Sequence, residues 1–449
     1  MDAACEGLPF MLRGTIVLDW KFWLTLPAYV LVFLMLVFPD VPQLSYVKVF
    51  LFAAILVTVG VAALLTGRSG LHFSVSVFTI SISFMSFLFV LEGFYAGTPG
   101  AFRAAQIYVV WPILYVTAIA GLRSERILFR LTKIMIFATI CISVYSIVFM
   151  LIQTGVLPES KYFDLISFDW RVQAFGLHDY IAMVFPGMSS LPFLVPFSLA
   201  ALVTFQPTLV RRIWLWIAMA LSLVSVLISG RRALYLVTLA APLLTLLFLR
   251  FQPEVERRLN KKALVRVAAV GALALAISLG SLNAVFGVTL SGLADRLSVG
   301  FDFSPTSEDT GATDRRTQYH ALLAGWMENP LLGAGHGAPA FGSIRSEESP
   351  WNYELHYLAV LYQTGLLGFT AYAAGILWIY WMGVRVIRAG GYLSALMVAS
   401  LVGMSSILVA DATNPYLARY DAMWAIFLPL AIVNFWLLRG PTHQQFASA

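Results

Sequence analysis

Residues 391–410 read GYLSALMVASLVGMSSILVA, a stretch with no charged side chain. A helix of about 20 residues rises about 30 Å, the thickness of a bilayer's hydrocarbon core. Such a stretch predicts a membrane span, because only a helix or a closed barrel satisfies its backbone there. Runs of the same kind recur at 22–38, 45–66, 73–95, 104–121, 132–155, 179–205, 212–229, 232–250, 264–284, 353–383 and 420–438. The pattern predicts an all-α integral membrane protein of about twelve transmembrane helices, a single polytopic domain over 1–449. Continuous apolar runs exclude a barrel, whose strands alternate polar and apolar. Hydrophobic residues make up 60% of the chain and charged residues 12%, far from a soluble composition.

The formal net charge is +6, and its placement matters more than its size. The loops at Arg68, Arg123–Lys133, Arg211–Arg212, Arg250–Lys262 and Arg385–Arg388 are basic, while the intervening loops are acidic, mixed or aromatic. The positive-inside rule then puts both termini in the cytoplasm and the other loops outside. No compact basic domain is present to bind nucleic acid. The first run, 22–38, carries no convincing cleavage site and reads as a span that stays in place. Cys5 and Cys141 lie in unlike surroundings, which argues against a disulfide or a metal pair. Tryptophans near the run ends suit an interfacial belt.

The exception to this apolar pattern is a long polar segment, residues 283–353, predicted to be one large outer loop. Chemistry in a mostly lipid-embedded chain is expected where its ionisable groups gather. Arg315 and Arg316 follow Asp314, read as the N-cap of a helix over Thr317–Met327 that stops before Pro330. They suit either a surface salt bridge or a phosphate clamp. Arg231 and Arg232 sit in a short outer turn, against the positive-inside trend. They suit a snorkelling contact with lipid phosphate, or an anion site at a helix start. The glycine-rich turn Leu332-Gly333-Ala334-Gly335-His336-Gly337 implies close backbone approach, with His336 a ligand contact or a hydrogen-bonded turn histidine. Glu354 and His356 open the next span, and their spacing points them to different sides. Gly365-Leu366-Leu367-Gly368 reads as a packing or kink element. Arg171 and His178 form a further outer cluster, and Arg419, Tyr420 and Asp421 another. The acidic residues Asp302, Glu308, Asp309 and Asp314 fit no calcium-loop spacing, and no metal or other cofactor is expected.

Several of these pieces resemble the shared domain of bacterial O-antigen ligases and O-antigen or exopolysaccharide polymerases. They are Arg315, Tyr319, Asn329-Pro330-Leu331-Leu332-Gly333, Gly335-His336-Gly337, Gly230-Arg231-Arg232-Ala233, and Tyr357-Leu358 with the 365–368 glycines. Trp170-Arg171 through Asp179 resembles a further family element, with departures. The resemblance covers about residues 171–369. It implies a glycosyltransferase-C-like fold and a metal-independent, inverting glycosyl transfer at the periplasmic face of the bacterial inner membrane. The implied donor is a saccharide on undecaprenyl pyrophosphate, held by Arg231 and Arg315 with Arg232, Arg316 or Arg171 nearby. The implied acceptor is another lipid-linked repeat in a polymerase, or lipid A-core in a ligase. A chain-length regulator is a further expected partner, besides membrane lipids. Where ligases carry the histidine of a His-Asn pair, Glu354-Leu355 stands here, which favours a polymerase with Glu354 as base; His356 and His336 remain the other candidates. The rival from another class is a lipid-linked oligosaccharide flippase. A transporter places ionisable groups near the bilayer midplane, where this chain has almost none.

Overall fold

The computed structural model describes residues 20–39, 41–66, 70–122, 124–158, 173–177, 180–184, 186–207, 209–286, 289–299, 310–342 and 349–440. Twelve apolar helices dominate these residues. They are α1 (Trp20–Val37), α2 (Ser45–Thr66), α3 (Phe73–Tyr95), α4 (Ala101–Ala120), α5 (Glu125–Gln153), α6 (Leu191–Thr204), α7 (Arg212–Ile228), α8 (Arg232–Leu249) and α9 (Glu254–Phe286), then, after two polar helices, α12 (His356–Arg388), α13 (Gly391–Asp411) and α14 (Trp424–Arg439). The polar pair between α9 and α12 is α10 (Leu290–Val299) and α11 (Thr310–Glu328). Nine of the apolar elements are long enough to cross a bilayer, and shorter apolar helices make up the rest. The chain is a multi-pass membrane protein.

Successive helices run back and forth, as their terminal contacts show. At one end, His72 N donates to Asn434 Oδ1, Gln252 Nε2 to Ser394 Oγ, and Gly391 N to Glu256 Oε1. Arg439 also pairs with Glu125 there. This is the basic end, where the α6–α7, α8–α9 and α12–α13 turns lie. The α3–α4 turn, the start of α12 and the end of α13 meet at the opposite, site end.

α6 and α13 form the centre. Both are buried nearly all round, as expected of helices without a polar face. Gly403 of α13 faces the ring of Phe193 so closely that a Cβ would fall 2.8 Å from it. At the site end the buried Lys48 Nζ meets Asp421 Oδ2 at 2.9 Å and donates to Phe38 O at 2.7 Å.

Two expectations are corrected. The run expected at 179–205 is helical only from Leu191. Before it come an antiparallel hairpin of β1 (Gln173–Leu177) and β2 (Tyr180–Val184), with Gln173 opposite Val184, and a 3-10 turn over Pro186–Ser190. Pro186 and Pro192 withhold backbone donors, so the helix starts beside the second of them. The helix expected over 317–327 starts at Thr310, so Asp314 lies within α11, exposed, and is no N-cap.

Candidate active site

The site is assembled by a stripe on α11. Arg315, Gln318, Leu322 and Gly325 recur at helical spacing and face one way. Leu322 is fully buried against Tyr353, Tyr362, Ala338 and Ala340. At Gly325 a Cβ would lie 2.6 Å from the Tyr362 ring, so only hydrogen fits. The upper part of the stripe grips the segment before α12. Arg315 Nε donates to Glu354 Oε2 at 2.8 Å, and Glu354 N donates to Gln318 Oε1 at 2.7 Å.

The Asn329–Gly333 turn docks onto a break in α12. Asn329 closes it, donating from Nδ2 to Gly333 O at 2.7 Å and accepting from Gly333 N at 2.9 Å. Gly365 interrupts α12 with φ 60° and ψ −168°. The break frees helix donors and acceptors that need partners. The turn supplies them: Leu366 N donates to Pro330 O at 2.9 Å, Leu367 N to Leu331 O at 3.1 Å, and Ala334 N to Tyr362 O at 3.0 Å. The two glycine-leucine motifs are thus halves of one joint.

The Gly335-His336-Gly337 turn docks elsewhere, on the α3–α4 connection. A Cβ at Gly335 would meet Gly93 N at 2.7 Å, and one at Gly337 would meet Gly100 C at 2.2 Å. The close approach expected of these glycines is to helix backbone. His336 is wholly buried, stacked on Tyr108 with ring centroids 4.3 Å apart. Its Nδ1 lies 3.3 Å from Gln363 Oε1 and its Nε2 3.0 Å from Tyr372 Oη. Burial lowers its pKa to about 4, opposed by the Gln363 hydrogen bond and reinforced by His356. The ring is neutral, with one nitrogen donating and the other accepting.

His356 turns the other way from Glu354, but Glu354 precedes α12 rather than opening it, so the difference does not come from helical spacing. It is buried, with Nε2 3.3 Å from Tyr108 Oη and Nδ1 3.3 Å from Asp411 Oδ2. The Asp411 contact is at ion-pair distance, but neither atom has hydrogen-bond alignment. Asp411 Oδ1 also accepts from Leu417 N at 2.8 Å. Tyr108 lies in a π-helical stretch of α4, Gln106–Val110, which turns its hydroxyl toward His356 while its ring covers His336.

Arg231 and Arg232 open α8, on a different wall. α8 packs on α6, α7, α9 and α13, whereas α11 packs on α12. Because the far end of α8 meets the start of α13 through Gln252 and Ser394, Arg231 and Arg232 lie at the same end of the bundle as Asp411. Arg316 is exposed beside Arg315. Arg171 and His178 lie outside the described residues. Sequence reasoning missed Tyr108, Gln318, Gln363, Asp411 and Lys48. A carboxylate ending the uncharged α13 and a lysine inside an apolar run were signals that could have flagged Asp411 and Lys48.

These features define a helical integral membrane protein with a charged, partly open site at one end of its bundle. Residues 217–373 match the family model described as O-Antigen ligase, and over those residues the chain is similar to that family. The match spans Arg231, Arg315, His336, Glu354 and His356, and supports an enzyme that joins glycans at a membrane. None of the curated proteins compared matches the chain.

Proposed function

We propose that the protein polymerises O-antigen or exopolysaccharide repeat units. The donor is a saccharide on undecaprenyl pyrophosphate, and the reaction is a metal-independent, inverting transfer at the periplasmic face of the bacterial inner membrane. Both termini then lie in the cytoplasm. The observation that carries this reading is the pairing of Arg315 with Glu354. Of the three candidate bases only Glu354 has an appreciably open side chain, 16% exposed; that of His356 is 7% exposed, and His336 is wholly buried.

In this reading the ion pair opens as the donor's diphosphate takes the guanidinium of Arg315. Arg231, Arg232, Arg316 and Arg171 are the further candidates to hold the diphosphate. Glu354 is released toward the acceptor sugar and takes the proton of its hydroxyl. That oxygen bonds to the anomeric carbon from the face opposite the leaving group. The bond from carbon to diphosphate oxygen breaks, its electron pair leaving with the diphosphate. The arginines stabilise the charge that grows there. His356, whose Nε2 meets Tyr108 Oη, is the second candidate base.

A second reading, ligation to lipid A-core, is favoured by the description of the matching family. Purified protein in lipid, given only lipid-diphosphate-linked repeats with and without EDTA, separates the two. A ladder of longer lipid-linked glycans that survives EDTA supports the polymerase. Transfer only when lipid A-core is added supports the ligase. Loss of the ladder in EDTA would contradict metal independence. Lipid translocation that needs Arg231 and Arg315, without any glycan transfer, would support the flippase instead.

A further inference from the structure

At the basic end, far from the site above, a groove of about 490 Å³ opens between α8, α12 and α13. Phe248, Phe251, Tyr380 and Trp381 line it, and Arg385 and Arg388 stand at its mouth. Leu247 and Trp381 are exposed along its rim, so it opens on the outer surface of the bundle. Deeper in, Tyr380 Oη and Ser405 Oγ are hydrogen-bonded to each other at 2.7 Å. They therefore require no polar partner from an occupant, and the rest of the wall is hydrocarbon.

The mouth is different. Arg385 and Arg388 are three residues apart on α12, on one side of the helix, and both are exposed. The Arg385 guanidinium lies 5.1 Å from the centroid of Trp381, and that of Arg388 lies 5.7 Å from Phe251. Ring faces hold such groups in place without using their N–H donors. Among the described residues no carboxylate pairs with either arginine. Glu256, at the adjoining turn, accepts from Gly391 N instead.

We infer that this groove binds an anionic phospholipid, its phosphate between Arg385 and Arg388 and one acyl chain along Phe248 and Tyr380. Charge complementarity selects the headgroup: two cations in the last turn of a membrane-spanning helix favour a net negative lipid over a zwitterion. The apolar wall leading from that mouth selects a chain-bearing ligand over free phosphate. The site is independent of the proposed glycosyl transfer.

The test is native mass spectrometry of the full chain in detergent, titrated with phosphatidylglycerol or phosphatidylcholine of identical chains. Phosphatidylglycerol is expected to bind at least about tenfold more tightly. Replacing both arginines, Arg385→Ala with Arg388→Ala, should weaken it about thirtyfold, since each basic residue near an anionic headgroup contributes about fivefold. Arg211→Ala with Arg212→Ala, equally basic and at the same end, should leave it unchanged. If the first double variant does not fold, Arg388→Gln alone should still cost about fivefold. Equal binding of the two lipids, equal loss in both double variants, or displacement by equimolar glycerophosphate would each overturn the proposal.

Discussion

Replacing Gly365 by alanine tests the joint between the Asn329–Gly333 turn and α12. At φ 60° and ψ −168° the backbone is in a region held essentially by glycine, at a cost to other residues of about 1–3 kcal/mol. The added Cβ would stand 2.3 Å from both Leu331 C and Leu331 O. Those are backbone atoms and cannot swing aside, so the turn must retreat by about 1 Å, with overpacking costs of about 1–3 kcal/mol. The prediction is a destabilisation of about 2–6 kcal/mol in total. The retreat breaks the bonds from Leu366 N and Leu367 N to the turn and shifts α11, with Arg315, against Glu354. A misplacement of about 1 Å at a reacting site costs about a hundredfold in rate. Gly342→Ala is the control, because Gly342 has φ 82° but nothing within 4 Å of its added Cβ. It should cost only about 1–2 kcal/mol of strain and leave transfer intact. Thermal unfolding in detergent and single-turnover transfer would be measured for both. A Gly365→Ala protein as stable and active as Gly342→Ala would refute the reasoning.

Two further predictions rest on buried charge. Lys48→Met should destabilise by about 3–5 kcal/mol by leaving Asp421 buried without its cation, while adding Asp421→Leu should recover most of the loss; additive losses in thermal unfolding would contradict this. His336 stays neutral in the fold down to about 4, whereas the unfolded chain takes up its proton near 6.5. Its contribution to stability is therefore full above about 6.5, declines as pH falls toward 4 and reaches a loss of about 3 kcal/mol. His336→Gln should flatten that slope in a pH series of unfolding, and an unchanged slope would count against it.

The twelve apolar helices were legible because lipid demands long uncharged runs, and runs such as 45–66 and 73–95 end where α2 and α3 end. The hairpin at Gln173–Val184 was not legible, since its apolar residues merged with the helix that follows. The 365–368 glycines read as a packing or kink element, and the structure gives both: Gly365 breaks α12 and Gly368 packs closely on Thr364 and Phe89. Nothing in the sequence showed that the Asn329–Gly333 turn completes that kink, because the partners are far apart along the chain. Glu354 and His356 do face different ways, but Glu354 lies in the bend before α12, so the reason is where the helix starts rather than spacing along it. The burial of His336 followed from long-range packing on Tyr108 and Gln363, which no local pattern records.

The central claim is that Arg315 holds the diphosphate and Glu354 takes the proton. Its most direct test is single-turnover transfer from an undecaprenyl-diphosphate-linked repeat by purified wild type, Arg315→Ala, Glu354→Gln and His356→Gln, with donor binding measured on each. The account predicts that Arg315→Ala loses transfer about a hundredfold, or about 3 kcal/mol of transition-state stabilisation. It also predicts that Glu354→Gln binds donor yet loses transfer to a similar degree. Near-normal turnover in Arg315→Ala or Glu354→Gln, with the loss confined to His356→Gln, would contradict it.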